Sequence, residues 1–180
     1  MEFIIQNKKI NFQTMKFNPI YDYGNSDLSN KENLIYWQFG EFIKTLITLS
    51  SNANRQIEII GAGAVADEMA EDLHTYFTLH CKQFFDNKLL NETEINLLNQ
   101  LSDFLESSGD KYPNFWDDKT LATNKDWEKV RTKAKKILTL LKMENLDIEF
   151  ERTEKYDMTN ESKKLLIQTT KIRLIYKNSY

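Results

Sequence analysis

Residues 61 to 66 have the glycine spacing of a phosphate-binding loop. They read Gly-Ala-Gly-Ala-Val-Ala after an isoleucine-rich run, and Asp86 follows at about the distance of the acidic residue that binds a ribose hydroxyl. Glycines in this pattern let the backbone approach a pyrophosphate at the N-terminus of a helix. Binding of a nicotinamide or flavin dinucleotide is therefore the first chemistry that the sequence suggests.

The elements that would build such a site are missing from the pattern. A dinucleotide-binding domain needs further parallel strands after its first crossover, whereas residues 92–142 show two amphipathic helical patterns separated by a loop. A glycine inside a helix also costs about 1 kcal/mol. The helix predicted before Val65 is therefore either continuous at that cost or broken near Gly61. We predict close packing of small residues here and no nicotinamide or flavin cofactor.

A second candidate is a metal site on the helix predicted from Val65 onward. Asp67, Glu71 and His74 share one face of that helix, and the last two have the spacing of half a carboxylate-bridged di-iron motif. The two histidines of the chain cannot supply the other half. Because three such groups on one helix usually form a solvated face, we predict no bound metal. A small cytoplasmic enzyme or metal-binding helical protein that uses these three residues stays the alternative function.

Nucleophilic catalysis has no favourable arrangement in the sequence. Cys81, the single cysteine, lies too close to His74 and His80 in one predicted helix to form a converging pair. A Gly-x-Ser-x-Gly elbow is also absent from the sequence. We therefore predict a protein without catalytic activity.

Charge distinguishes two of the predicted helices. The second predicted helix has four acidic residues within two turns, whereas the fourth predicted helix is basic. No aromatic residue lies between Lys129, Lys133 and Lys136 of the fourth helix, which is atypical of nucleic-acid binding. Either these are ordinary solvated faces, or the acidic cluster is a docking surface for a basic partner, because complementary potentials speed association. The four acidic residues are Asp67, Glu68, Glu71 and Asp72.

Trp37 is the second candidate for partner binding. It falls on the face of the first predicted helix opposite the apolar stripe, together with Glu41 and Lys44. Such a tryptophan lies either beneath a terminal segment or at an interface. Exposed tryptophan is enriched among the residues that dominate binding energy, which makes Trp37 a candidate anchor.

Composition restricts the class of protein. A chain of 180 residues, 41% of them hydrophobic, is long enough for one domain with its own core. Its 24 basic and 27 acidic residues give a net charge of -3, which argues against general binding to nucleic acid or anionic membranes. The sequence has one cysteine, no basic leader at its N-terminus and no run of about eighteen apolar residues. These features predict a cytoplasmic protein without a membrane span.

Periodicity predicts a single α+β domain over residues 1–180. Four amphipathic helices form the core over residues 29–143, the first from about 31 to 49 and the third ending near 107–110. Alternating patterns predict strands and a loop over residues 1–28 and a hairpin over residues 144–180, which together make a small antiparallel sheet. The candidate N-caps are Ser29 with Glu32, Asn52 or Asn54, Asn91 with Glu94, and Thr123 or Asn124.

Three short motifs resemble small bacterial immunity proteins of toxin–immunity systems. They are Ala-Asp-Glu-Met-Ala at residues 66–70, Phe-Trp at residues 115–116, and Trp-Glu-x-Val-Arg-x-x-Ala at residues 127–134. The resemblance covers roughly residues 55–142. It implies a cytoplasmic protein that neutralises a cognate protein toxin by binding it, without chemistry of its own.

Overall fold

The computed structural model describes residues 17–157 and 164–177, which form an α+β fold. Six α-helices and one antiparallel hairpin make up the described part, so the predicted count of four helices is wrong. The strands predicted within residues 2–16 and the turn predicted at residues 158–162 lie outside the described residues. The elements are α1 (Lys31–Ser50), α2 (Ala53–Ile60), α3 (Val65–Leu73), α4 (Cys81–Asp86), α5 (Glu92–Lys111), α6 (Lys125–Leu140), β1 (Leu146–Asp157) and β2 (Lys164–Tyr176).

Helix α1 lies at the centre of the helical core. It contacts α2, α3, α4 and α6 as well as both strands. Complete burial of a large apolar side chain stabilises a fold by about 1.5 to 3 kcal/mol, so its apolar stripe holds the other elements together. The predicted stripe is confirmed, because all five of its members are buried: Ile35, Phe39, Phe42, Leu46 and Leu49.

Short polar side chains begin most of the long helices. The prediction of Ser29 as the first cap is wrong by one residue: Asn30 accepts from the N–H groups of the first turn of α1, whereas the Ser29 hydroxyl donates to Asp27 at 2.7 Å. Adjacent Ser and Asn have similar capping ability, so only the backbone geometry separates them. Helix α5 also continues to Lys111, past its predicted end. The remaining predicted caps are confirmed at Asn52, Asn91 with Glu94, and Asn124.

The second predicted helix is divided into three segments. A break at Gly61 separates α2 from α3, and a π-helical turn at residues 74–78 precedes α4. A π turn inserts an extra residue into the helical period, which shifts the buried face beyond α3. Phe77 is therefore fully buried, while Tyr76 and His80, which the predicted stripe included, are half-buried.

An aromatic pair fixes the loop between α5 and α6. Phe115 is fully buried, as the loop's composition predicts, and it stacks on Trp127 with ring centroids 4.7 Å apart. The Trp127 indole N–H donates to the Phe115 carbonyl oxygen at 3.0 Å. The Phe115 carbonyl also accepts a hydrogen bond from the Thr120 hydroxyl at 2.9 Å, which joins this pair to the short 3-10 turn at Asp118–Thr120.

The C-terminal hairpin is confirmed, and it packs on the end of α2. Ile148 and Leu174 face each other across the two strands and are buried against the helices. Farther along β1, Arg152 donates to the carbonyl oxygens of Glu58 and Ile59 at 2.7 and 3.0 Å. These carbonyls belong to the last turn of α2, so the guanidinium satisfies them and joins the hairpin to the helix.

Candidate functional site

The glycine loop ends α2 and contacts the hairpin. Gly61 is the C-cap of α2 and has a φ of 88°, which residues with a β-carbon rarely adopt. Gln168 of β2 donates to the Ile60 carbonyl at 3.3 Å and accepts from the Ala62 N–H at 3.0 Å. The loop therefore packs against a side chain of the protein itself, with no space for a β-carbon at Gly61.

Asp118 lies where a dinucleotide phosphate would bind. Ala64, at the N-cap position of α3, offers no side-chain cap. The Asp118 carboxylate instead accepts from the backbone N–H of Ala66 at 3.0 Å. A carboxylate at this position satisfies a free N–H donor and complements the helix dipole, as a bound phosphate would. The glycine spacing is thus explained by packing of α2, β2 and the 3-10 turn.

The candidate metal ligands do not converge on a common point. Within residues 17–157 and 164–177, no three His, Cys, Asp or Glu side chains are placed to hold a metal ion. Asp67, Glu71 and His74 are exposed on the surface. Cys81 is half-buried, and burial raises the pKa of its thiol, which disfavours the nucleophilic and metal-binding thiolate. Within the described residues, Asp67, Glu71 and His74 therefore do not form the metal site that the alternative function would use.

The four predicted acidic residues form one surface on α3, which we call the acidic face. Asp67, Glu68 and Glu71 are exposed and Asp72 is half-buried. In the described part of the chain, none of the four carboxylates has a basic ion-pair partner. Like charges three or four residues apart on a helix repel by a few tenths of a kcal/mol. The acidic face therefore carries repulsion that the described residues leave uncompensated.

Asp72 combines burial with this repulsion. Burial, followed by the charges of Glu68, Glu41 and Glu71, raises the pKa of Asp72 to about 6. Glu41 belongs to α1, so the negative region continues from α3 onto a second helix. A carboxyl with a strongly shifted pKa in a cluster of charges is a functional-site candidate. The sequence pattern missed Glu41, because only the packing of α1 against α3 brings it to Asp72.

Trp37 is half-buried rather than exposed. Its ring lies edge-on to Tyr76 with centroids 6.3 Å apart, and a β-carbon on Gly24 would lie 3.5 Å from its indole nitrogen. The loop that contains Gly24 thus covers part of the ring. Burial, with the charges of Glu41 and Asp72, raises the pKa of Tyr76. Through Tyr76, the structure places Trp37 beside the acidic face.

A pocket of about 210 Å³ lies between the loop at residues 17–24, α1 and β2. We call it the aromatic pocket, because Tyr21, Tyr23 and Trp37 line it. Glu41 and Lys44 also line it, and they form an ion pair at 2.8 Å. The remaining wall is formed by residues 172–174 of β2, which are distant in sequence, so no local motif could have identified the pocket.

Two basic residues of α6, Lys129 and Lys133, are engaged in local contacts. Lys129 pairs with Asp126 at 2.6 Å, and Lys129 and Lys133 lie over the Phe104 ring at 5.8 and 5.3 Å from its centroid. An aromatic side chain therefore does lie among these lysines, contributed by α5. Their aliphatic stems cover this half-buried ring, which is ordinary surface packing. Across residues 17–157 and 164–177, the helices also lack the length and apolar character required to cross a membrane.

Comparison with known proteins adds no information on family or function. No protein-family model matches this chain, and neither a curated protein nor a solved structure matches it.

Proposed function

We propose that this protein is a cytoplasmic, non-catalytic binding protein that neutralises a cognate bacterial toxin by direct contact through its acidic face. The observation that supports the proposal is a surface of four carboxylates without ion-pair partners in the described residues. The resemblance of residues 55–142 to immunity proteins supplies the class of partner. A toxin with a basic surface would relieve the repulsion within this face.

The exposed members of the face would act on the encounter with the toxin. Asp67, Glu68 and Glu71 project from one helix, while Glu41 of α1, which is paired with Lys44, adds to the negative potential around Asp72. A potential of this kind raises the association rate and selects among partners more than it raises affinity. Its effect falls as salt increases, since exposed charges are screened over about 10 Å at 0.1 M ionic strength.

The aromatic residues beside the face would supply affinity. Tyrosine and tryptophan are enriched at interfaces, where one ring presents both apolar area and a polar group. Because Trp37 is half-buried against Tyr76, it would contribute through its exposed part. It would also hold Tyr76 next to Asp72.

The association rate of the protein with the toxin, measured at several salt concentrations, tests the proposal. Reversal of Glu68 and Glu71 to lysine should slow association and remove much of its salt dependence. Asp72 is left unchanged in this variant, because it is half-buried and a lysine there would disturb the packing.

A matched control is available on α5. Asp103 and Glu106 are exposed and have the same three-residue spacing as Glu68 and Glu71. Their reversal to lysine changes the net charge by the same amount at a different place. Equal slowing in the two double variants would show that net charge, rather than the acidic face, controls association.

A further inference from the structure

The aromatic pocket is too small for a cofactor and suits a single side chain. Its volume is about 210 Å³, whereas pockets for small molecules and cofactors occupy roughly 300 to 1,000 Å³. Among the described residues, it opens to the surface between the loop at residues 17–24 and the C-terminal half of β2. A long side chain projecting from another protein could enter it without any change in the fold.

The rings that line the pocket favour a cationic occupant. Tyr21 is 55% exposed and lies edge-on to Tyr23 with centroids 4.7 Å apart, while Trp37 lines the pocket from α1. Aromatic faces attract a guanidinium or ammonium group electrostatically, and tryptophan attracts it most strongly. These three rings belong to two separate elements, so they surround the space from more than one side.

The charged residues that line the pocket are two acids, Asp22 and Glu41, and two bases, Lys44 and Arg173. Both basic residues on its walls are already paired: Lys44 with Glu41 at 2.8 Å, and Arg173 with Glu149 across the hairpin. The charge of Glu41 also acts on Asp72. The Lys44 ammonium is therefore paired with one carboxylate of a region that contains several. An incoming guanidinium can form two parallel hydrogen bonds with a carboxylate, which an ammonium cannot.

We propose that the aromatic pocket receives one arginine side chain of the basic partner, held over Trp37 and paired with the Glu41 carboxylate. This inference rests on the proposed function, because it identifies how the same partner is recognised. Glu41 belongs both to the pocket wall and to the negative region around Asp72. The pocket would thus fix the arginine that the acidic face has attracted.

The pocket can be tested without the toxin by nuclear magnetic resonance on the full chain. The indole N–H signal of Trp37 should shift on titration with N-acetyl-L-arginine methylamide. The citrulline analogue, which is uncharged and has the same shape, should shift it much less. The signals of Trp116 and Trp127 serve as internal controls, because neither residue lines the pocket.

Two variants of the Glu41–Lys44 pair should act in opposite directions. Glu41→Gln removes the carboxylate and should weaken binding of the arginine probe by roughly three- to tenfold. Lys44→Met removes the competing ammonium and should strengthen binding by a similar factor. Asp86→Asn, which breaks the exposed Lys82–Asp86 pair on α4, should leave binding unchanged.

The outcomes separate this inference from the proposed function. Equal shifts with the arginine and citrulline probes, stronger binding of N-acetyl-L-glutamate methylamide, or changes of the same sign in both pair variants would overturn the pocket. If the arginine probe binds as described but no toxin is neutralised, the pocket stands and the immunity function fails. If the toxin is neutralised and Trp37 does not respond to the probe, the pocket alone is wrong.

Discussion

The Asp118 carboxylate accepts a hydrogen bond from the Ala66 N–H at 3.0 Å, across 52 positions of the sequence. This contact joins the loop after α5 to the start of α3, which carries the acidic face. Helix α3 lacks a side-chain cap at its own N-terminus. Asp118 therefore both orients the acidic face and occupies the anion-binding end of the helix.

Removal of this distant cap should weaken the fold measurably. We expect Asp118→Ala to lower the free energy of unfolding by about 1 kcal/mol, the usual contribution of an N-cap side chain. Urea denaturation followed by circular dichroism measures the change. Asp103→Ala, at an exposed position within α5, is the control and should stay within about 0.5 kcal/mol of wild type. Equal stability of the two variants would contradict the capping role.

Two glycines should respond in opposite ways to substitution by alanine. At Gly61, a β-carbon would lie 2.3 Å from the Gln168 amide nitrogen, and φ is 88°, so we expect a loss of about 1 to 3 kcal/mol. At Gly40, within α1, a β-carbon meets no atom within 4 Å, so alanine should stabilise the protein by about 0.5 to 1 kcal/mol. Thermal and urea unfolding of both variants check the pair. A stabilising Gly61→Ala would show that the loop does not need glycine.

The raised pKa of Asp72 predicts a specific dependence of stability on pH. Its ordinary value of 3.8 applies to the unfolded chain, and the value in the fold is about 6. Below pH 3.8 the carboxyl is protonated in both states and has no effect. As pH rises between these values the unfolded state loses its proton first, so the folded state loses stability, and above about pH 6 the full loss is present.

Asp72→Asn should remove this loss. Relative to wild type, the variant should gain about 1 to 2 kcal/mol of stability as pH rises from 4 to 7, after allowance for solvent screening of a half-buried group. Urea unfolding across that pH range measures the difference. Asp67→Asn, on the same helix but exposed, should retain the wild-type profile. A constant difference between Asp72→Asn and wild type at every pH would rule out the raised pKa of Asp72.

Local signals in the sequence predicted much of the helical part of the fold. A cap and its helix are neighbours in sequence, which is why Asn52, Asn91 with Glu94, and Asn124 could be identified in advance. The apolar period likewise identified the buried face of α1. The error at Ser29 arose because the adjacent Asn30 has the same capping chemistry. The π turn left no recognisable signal, since one inserted residue changes the period without changing the composition.

The contacts that define the candidate site could not be predicted from local patterns in the sequence. Asp118 and Ala66, or Glu41 and Asp72, meet only because loops and helices distant in sequence pack together. The acidic cluster was visible because its members lie on one helix, but its extension onto α1 was not. Trp37 was correctly placed off the main apolar stripe, whereas its cover by Tyr76 and the Gly24 loop required the fold.

Protection of cells against the toxin tests the central claim most directly. The immunity function predicts a toxin gene next to the gene of this protein. The protein is co-expressed with the product of that neighbouring gene, and survival is compared with that of cells that carry the neighbouring gene alone. The account predicts that wild type and Asp103→Lys with Glu106→Lys protect the cells, while Glu68→Lys with Glu71→Lys protects far less at equal protein levels. Equal protection by both double variants would contradict the acidic face as the binding surface, and failure of wild type to protect would contradict the immunity function itself.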